Sequence, residues 1–279
     1  MQNFNYHQHT YRCKHADYNM EDEDYIFEYL KNGINKIAFT DHIPEKIVID
    51  KRPNARMNYE ELNDYLNSIN TLKEKYKDKI DIKVGFEYEY ADSQLDFLNE
   101  LKDKIDILIN GQHFIEDDGI VKIFGRYDFN ELELNRYVEH LEKGIINNFT
   151  NIIAHPDIYM LKREFSSIEE DIANKICSMA EKYDIPLEIN LNRIFYSVYL
   201  RNNNLNTSLD EKIKLLENVS YPCRGFWKVA SKYNVRVLYG VDAHFKGQIS
   251  LFNELVLLAN IMIGKDTIDK LNFIKDGNI

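Results

Sequence analysis

Strand-like and helix-like segments alternate about seven times along this 279-residue chain. Short β-branched or apolar runs occur at residues 4–9, 37–39, 80–86, 105–109, 151–154, 186–189 and 235–239. Between and after them, residues 23–31, 59–76, 95–101, 132–146, 168–183, 226–233 and 249–263 space their apolar side chains three and four apart, as Leu62, Leu66, Ile69 and Leu72 do. Parallel strands need crossovers, and helices provide them, so this alternation implies a parallel sheet with helices outside. We expect an α/β fold, a distorted (β/α)7 barrel similar to a TIM barrel. No Pro/Gly/Ser-rich linker interrupts the chain, so we expect one domain over residues 1–279.

The polar residues favour a barrel over an open sheet. In barrels of this type catalytic groups project from the C-terminal ends of the strands. The seven runs end, in order, in His7-Gln8-His9, Asp41-His42, Glu87, Gln112-His113, His155-Pro156-Asp157, Glu188-Ile189-Asn190 and Asp242-Ala243-His244. Of eight histidines, six fall at these ends, a placement that scatter over helices and loops would seldom produce. Residues i and i+2 on a strand face the same side, so His7 with His9, and Asp242 with His244, can converge on one ion. Imidazole and carboxylate are the ligand set of zinc, iron and manganese. Gathered in one pocket without cations, these groups would suffer desolvation and carboxylate repulsion. Glu89 reads as a solvated strand end, and His140, inside a helical stretch, as surface or packing. Tyr196 and Trp227 are candidates for a pocket wall.

Composition narrows the function. The formal net charge of −11 disfavours a nucleic-acid surface, although a pocket holding metal ions can be locally positive inside an acidic protein. Three scattered cysteines, Cys13, Cys177 and Cys223, form neither a disulfide framework nor a CxxC zinc pattern. Residues 1–10 lack an apolar signal core, and no apolar run reaches the roughly 18 residues of a membrane span. We expect a cytoplasmic protein with no membrane partner.

His7-x-His9, His15, Asp41-His42, Gly85-x-Glu87, Gln112-His113, Ala154-His155-Pro-Asp and Asp242-Ala-His244 together resemble the polymerase-and-histidinol-phosphatase (PHP) superfamily. The order of motifs over residues 7 to about 252 is that of the superfamily, and the opening His-Gln-His-Thr-Tyr-Arg-Cys-Lys-His-Ala is similar to its bacterial histidinol-phosphate phosphatases. The resemblance implies three divalent ions (zinc, manganese or iron). His7, His9, Glu87 and Asp242 would hold the first. Glu87 would bridge to a second, completed by His113 and His155. His15, His42 and His244 would hold a third, with Asp17 as an alternative to His15.

The activity expected is hydrolysis of a small phosphomonoester, L-histidinol phosphate, in L-histidine biosynthesis. A hydroxide held between two ions is a nucleophile at neutral pH. Asp17 and His42 are the expected catalytic residues, with Asp17 or water on the third ion protonating the leaving group. Arg163 and Arg193 are expected at the phosphate, since a guanidinium fork suits bidentate binding, and Asn190 at the substrate. Two other readings stay open: a related phosphoesterase acting on nucleotides or other phosphomonoesters, and a non-catalytic metal-binding regulator.

Overall fold

In the computed structural model, the described residues are 2–46, 49–117, 119–201 and 207–279. The strands are β1 (Phe4–Asn5), β2 (Lys36–His42), β3 (Asp81–Tyr88), β4 (Ile107–Asn110), β5 (Phe114–Asp117), β6 (Ile120–Ile123), β7 (Ile152–Ile153), β8 (Leu187–Asn190), β9 (Arg236–Gly240) and β10 (Asn272–Phe273). Eight of them form a parallel sheet in the order β1-β2-β3-β4-β7-β8-β9-β10. The sheet curls back on itself: an isolated parallel bridge joins Gln8 to Ala243, with the Ala243 carbonyl accepting from the His9 amide at 3.0 Å. Below that bridge, amide side chains replace the ladder. Gln2 Oε1 accepts from the Tyr239 amide and Asn5 Oδ1 from the Val241 amide, both at 2.9 Å. Side-chain amides satisfy backbone donors that no strand neighbour reaches, which is how this seam is distorted.

The seven expected runs are therefore the seven barrel strands. The eighth, β10, pairs only two residues with the foot of β9, too short for any periodicity to mark. The β5–β6 hairpin was also not anticipated, although Asp117-Asp118-Gly119 between two apolar runs is a hairpin signal.

Amphipathic helices cover the outside. Asp22–Lys31, Leu62–Tyr76, Glu131–Ile146 and Ser167–Lys182 each bury one face, and the last two begin with capping boxes built on Asn130/Glu133 and Ser166/Glu169. The segment expected as one helix over 249–263 is two, Lys246–Ser250 and Phe252–Ile263. Among the described residues, no helix is long and apolar enough to cross a membrane.

The inner face has layers that the strand period dictates. On the β4 run, Ile107, Ile109, Gly111 and His113 follow one another two residues apart; on the β9 run, Leu238, Gly240, Asp242 and His244 do the same. Ile107, Ile109, Ile152, Ala154 and Leu238 pack with Phe4, Tyr6 and Ala38 into a separate apolar cluster that Ile274 and Ile279 close from the C-terminal tail. An apolar floor, a glycine layer and a layer of histidines and carboxylates thus succeed one another toward the mouth.

Candidate metal centre

Register places the first components. β2 and β3 pair from Lys36↔Asp81 to His42↔Glu87, so the two polar residues that end these strands stand side by side. The glycine layer then gives the carboxylates room. A Cβ at Gly111 would lie 1.8 Å from Glu87 Oε1, and one at Gly240 only 1.6 Å from Glu188 Oε1. Both carboxylates cross over a glycine to reach the barrel axis. Two strand-end residues, His155 (φ 31°) and Asp242 (φ 48°), adopt the left-handed region, a strain that persists where surrounding structure over-determines the backbone.

Four donors make a compact cage. His7 Nε2 lies 3.1 Å from His9 Nε2, 3.4 Å from Glu87 Oε2 and 3.5 Å from Asp242 Oδ1; His9 Nε2 lies 3.4 Å from Glu87 Oε2 and 3.2 Å from Asp242 Oδ1. Ligands of a tetrahedral zinc-like ion at about 2.0–2.2 Å stand about 3.3–3.6 Å from one another, so these separations fit one ion. Glu87 Oε1, on the other side of the carboxylate, is 2.8 Å from His155 Nε2 and 3.5 Å from His113 Nε2. His15 Nε2 faces His244 Nε2 at 2.9 Å, and His9, His42 and His244 also gather within bonding range of one ion. The buried Cys13 lies within the same reach of His15 and His244.

Some of these donors bond to one another, as His155 Nε2 does with Glu87 Oε1, and one close pair does not. Glu87 Oε2 is 2.9 Å from His42 Nδ1, yet both atoms are buried and neither makes an aligned hydrogen bond. His7, by contrast, has its outer nitrogen fixed: Nδ1–H donates to Glu188 Oε1 at 2.8 Å, which leaves Nε2 for the cage. His15 Nδ1–H donates to the Cys13 carbonyl at 2.7 Å and likewise turns Nε2 toward His244. Such outer partners set the tautomer of a metal-binding imidazole.

Electrostatics point the same way. Burial opposes a charge on His7, but Glu188, Asp242 and Glu87 override it and raise its pKa well above the usual 6.5. Burial also opposes ionisation of Glu87 and Asp242, and neighbouring imidazoles (chiefly His42 and His113 for Glu87, His7 for Asp242) outweigh it, keeping both carboxyls ionised. His42 and His244 are pushed well below 6.5, by burial first and by His9, so their lone pairs are free at neutral pH. The cluster holds anionic and neutral donors that demand compensating positive charge. A divalent cation fits that demand better than protons on His7 and His155, the two imidazoles whose pKa the carboxylates raise.

The centre opens into a cleft of about 400 Å³ lined by His15, His42, His113, Asp242 and His244 and rimmed by Arg52, Arg126 and Arg193. Arg193 lines the cleft wall with its guanidinium 5.7 Å from the Tyr221 ring centroid, and Tyr196 also lines the wall. Arg163 is not brought to the cleft. Nε donates to Glu169 Oε1 at 2.8 Å and Nη1 to the Phe129 carbonyl at 2.6 Å, because the Ser166/Glu169 cap brings that carboxylate next to it.

Asp17 also stays outside. Its Oδ1 accepts from the Asn19 amide at 3.0 Å, and its own amide donates to the His244 carbonyl. Asn190 lies beneath the donors, its Nδ2 donating to Glu188 Oε2 at 2.9 Å and Asp242 Oδ2 at 3.1 Å. Trp227 is buried, its indole N–H donating to Asp157. His140 is buried packing, accepting from Gln112 Nε2. Glu89 is not solvated: it is 4% exposed and accepts from His113 Nδ1 at 3.0 Å. Sequence reasoning passed over Arg52, Arg126, Tyr221 and the orienting role of Glu188. Of these, Glu188 alone carried a signal, being two residues before Asn190 at a strand end.

Two consequences can be measured. Gly111→Ala must push the Glu87 carboxylate aside. That Cβ would also meet the buried Glu87 Cδ and Cγ at 2.5 and 2.7 Å, so stability should fall by about 1–3 kcal/mol, while metal affinity falls about 10–100-fold; unchanged affinity in equilibrium dialysis would contradict Glu87 as a ligand. Metal uptake must also strip the proton from His7. Affinity should therefore rise with pH above 6.5 until the raised His7 value is passed, with proton release visible by calorimetry in buffers of different ionisation enthalpy. Equal affinities at about pH 6 and about pH 8 would oppose this.

A family model described as PHP domain matches residues 5–192. The chain is 31% identical over 158 residues to a histidinol-phosphatase of Bacillus subtilis (55% of this chain, 56% of that protein). It is 31% identical over 111 residues to a protein named probable histidinol-phosphatase in Schizosaccharomyces pombe (37% and 36%). The matched segment thus spans about half the length of the first relative and about a third of the second. Among solved structures, a histidinol phosphatase candidate of Listeria monocytogenes superposes with a TM-score of 0.68 at 20% identity, covering 88% of this chain and 97% of that one. A histidinol phosphate phosphatase of Lactococcus lactis, solved with zinc, L-histidinol and phosphate, gives 0.60 at 19% identity, covering 92% and 93%. These two support the α/β barrel, and the family match over residues 5–192 covers most of its strands: the chain belongs to the PHP domain family.

Proposed function

We propose that this protein is a metal-dependent phosphoric monoester hydrolase that converts L-histidinol phosphate to L-histidinol and phosphate in L-histidine biosynthesis. One observation carries the reading: the buried Glu87 carboxylate is met by His7, His9, His42, His113 and His155 at the foot of a cleft rimmed by arginines. The substrate is suggested by the relatives' names and by the L-histidinol and phosphate held in the Lactococcus structure. The reading extends to three divalent ions among zinc, manganese and iron, with His7, His9, His15, His42, Glu87, His113, His155, Asp242 and His244 as ligands. It also takes residues 1–279 as one domain, acting in the cytoplasm on a small molecule, with no nucleic-acid or membrane partner.

Bound there, divalent ions supply Lewis acidity toward phosphoryl oxygens and a nucleophile from water at neutral pH. The chain's own residues do the rest. Among the described residues no carboxylate lies within ion-pair distance of Arg193 or Arg126, so both can meet a phosphoryl dianion at the rim. Tyr221 lies against the Arg193 guanidinium and limits its swing. His42, held neutral by burial, keeps a lone pair at the cleft floor, and Phe124, Ile158 and Leu161 narrow the water-filled space around a leaving group. Electrostatic stabilisation by such fixed groups is usually the largest contribution to hydrolysis of a charged ester.

The test is phosphate release from L-histidinol phosphate against a panel of phosphomonoesters, with manganese or zinc. We expect preference for histidinol phosphate, a loss of at least about 100-fold in His42→Ala, and a KM raised about tenfold or more in Arg193→Met. Hydrolysis of other esters alone would move the substrate elsewhere, and no turnover with any of them would leave a metal-binding regulator.

A further inference from the structure

A second polar cluster lies beside the metal centre, and the function proposed above does not use it. Between β2 and the helix Leu62–Tyr76, residues 49–58 fold over the end of β3 and bury Arg56 at 9% exposure among three carboxylates. Arg56 Nη1 donates to Glu89 Oε2 at 3.1 Å and to the Ile43 carbonyl at 3.1 Å; Nη2 donates to Asp50 Oδ2 at 3.2 Å. Glu45 lies 3.5 Å from Nη1 and accepts from the Ile49 and Asp50 amides. At one end of this cluster, Glu89 Oε1 accepts from His113 Nδ1 at 3.0 Å. At the other, Asp50 takes Arg52 in a fork, with Nε at 3.0 and 2.7 Å from its two oxygens. His113 faces Glu87, and Arg52 lines the cleft.

We propose that His113–Glu89–Arg56–Asp50–Arg52 is a positioning relay that turns His113 Nε2 toward the metal centre and holds Arg52 on the cleft rim as one unit. Each link is a charge-assisted hydrogen bond between groups largely withdrawn from water, where such bonds are strongest and a lost partner is costly. Glu89 fixes the His113 tautomer, since a carboxylate can only accept and so keeps the proton on Nδ1. Arg56 is the shared member: Nη1 and Nη2 both reach Glu89, and Nη2 also donates to Asp50. Without it, two buried carboxylates would repel, and both His113 and Arg52 would lose their anchors. Glu89, Arg56 and Asp50 are positioning residues that act through His113 and Arg52. The proposal rests on the reading of His113 as a metal ligand.

The experiment compares wild type with Glu89→Gln, Arg56→Lys and His113→Ala, each checked for folding by circular dichroism. Manganese bound per chain is measured by equilibrium dialysis, and inorganic phosphate affinity by competition. Glu89→Gln and Arg56→Lys should each loosen one manganese about tenfold or more and weaken phosphate as well. The double variant should be no worse than the poorer single one, because the residues share one chain of contacts. If both single variants bind manganese and phosphate as wild type does while His113→Ala loses an ion, the relay is refuted and the ligand reading survives. If His113→Ala also keeps its full metal complement, the ligand reading itself fails. Ring ¹⁵N spectra of the metal-loaded wild type need no variant: the relay requires His113 protonated at Nδ1, and a proton on Nε2 would overturn it.

Discussion

Three carboxylates, Glu87, Glu188 and Asp242, are buried at the mouth of the barrel, and among the described residues no lysine or arginine stands within ion-pair distance of any of them. An ionised carboxylate in such surroundings is tolerated only if positive charge is supplied close by. Imidazoles are what the fold provides: His7 is held protonated by its three neighbours, while His42 and His244 are held neutral by burial. Burial opposes a charge on His155 as well, but Glu87 overrides it and raises its pKa, and two imidazoliums still cannot balance three anions. The remainder of the architecture follows from the need to hold these groups together until cations do so.

Strand geometry supplies the means. Because side chains on one face recur every second residue, an apolar floor residue, a glycine and a ligand can be stacked on the β4 and β9 runs. The glycines let Glu87 and Glu188 lie across neighbouring strands, where any side chain would occupy the same space. Glu188 then serves three partners at once: the His7 ring, the His155 amide and the Asn190 amide group. Removing it would release parts of β1, β7 and β8 together, so the outer partners of the donors also help to hold the barrel closed.

Much of this was legible in the sequence, and the reason is chemical. Metal donors are limited to a few residue types, so their recurrence at strand ends survives without any knowledge of packing. His7, His9, His15, His42, Glu87, His113, His155, Asp242 and His244 do assemble at one barrel mouth. What the sequence could not disclose depends on chain segments distant from each motif. Glu89 continues the alternation of β3 and would be solvated if the segment carrying Arg56 did not fold over it. Arg163 lies in the right loop, but the capping residue of the next helix captures it. Asp17 sits two residues from His15, yet it turns to Asn19 because a short polar side chain prefers its own backbone. Arg52 and Arg126 lie on loops with no periodicity, and only the folded chain brings them to the rim.

In the function proposed above, Glu87 would be shared between ions at the barrel mouth. X-ray diffraction from metal-loaded crystals, collected at the zinc and manganese absorption edges, would locate those ions directly. Anomalous peaks are expected on both sides of the Glu87 carboxylate, each about 2.0–2.2 Å from its oxygens, with His7 and His9 on one side and His113 and His155 on the other. Peaks confined to surface carboxylates, or none next to Glu87, would contradict it.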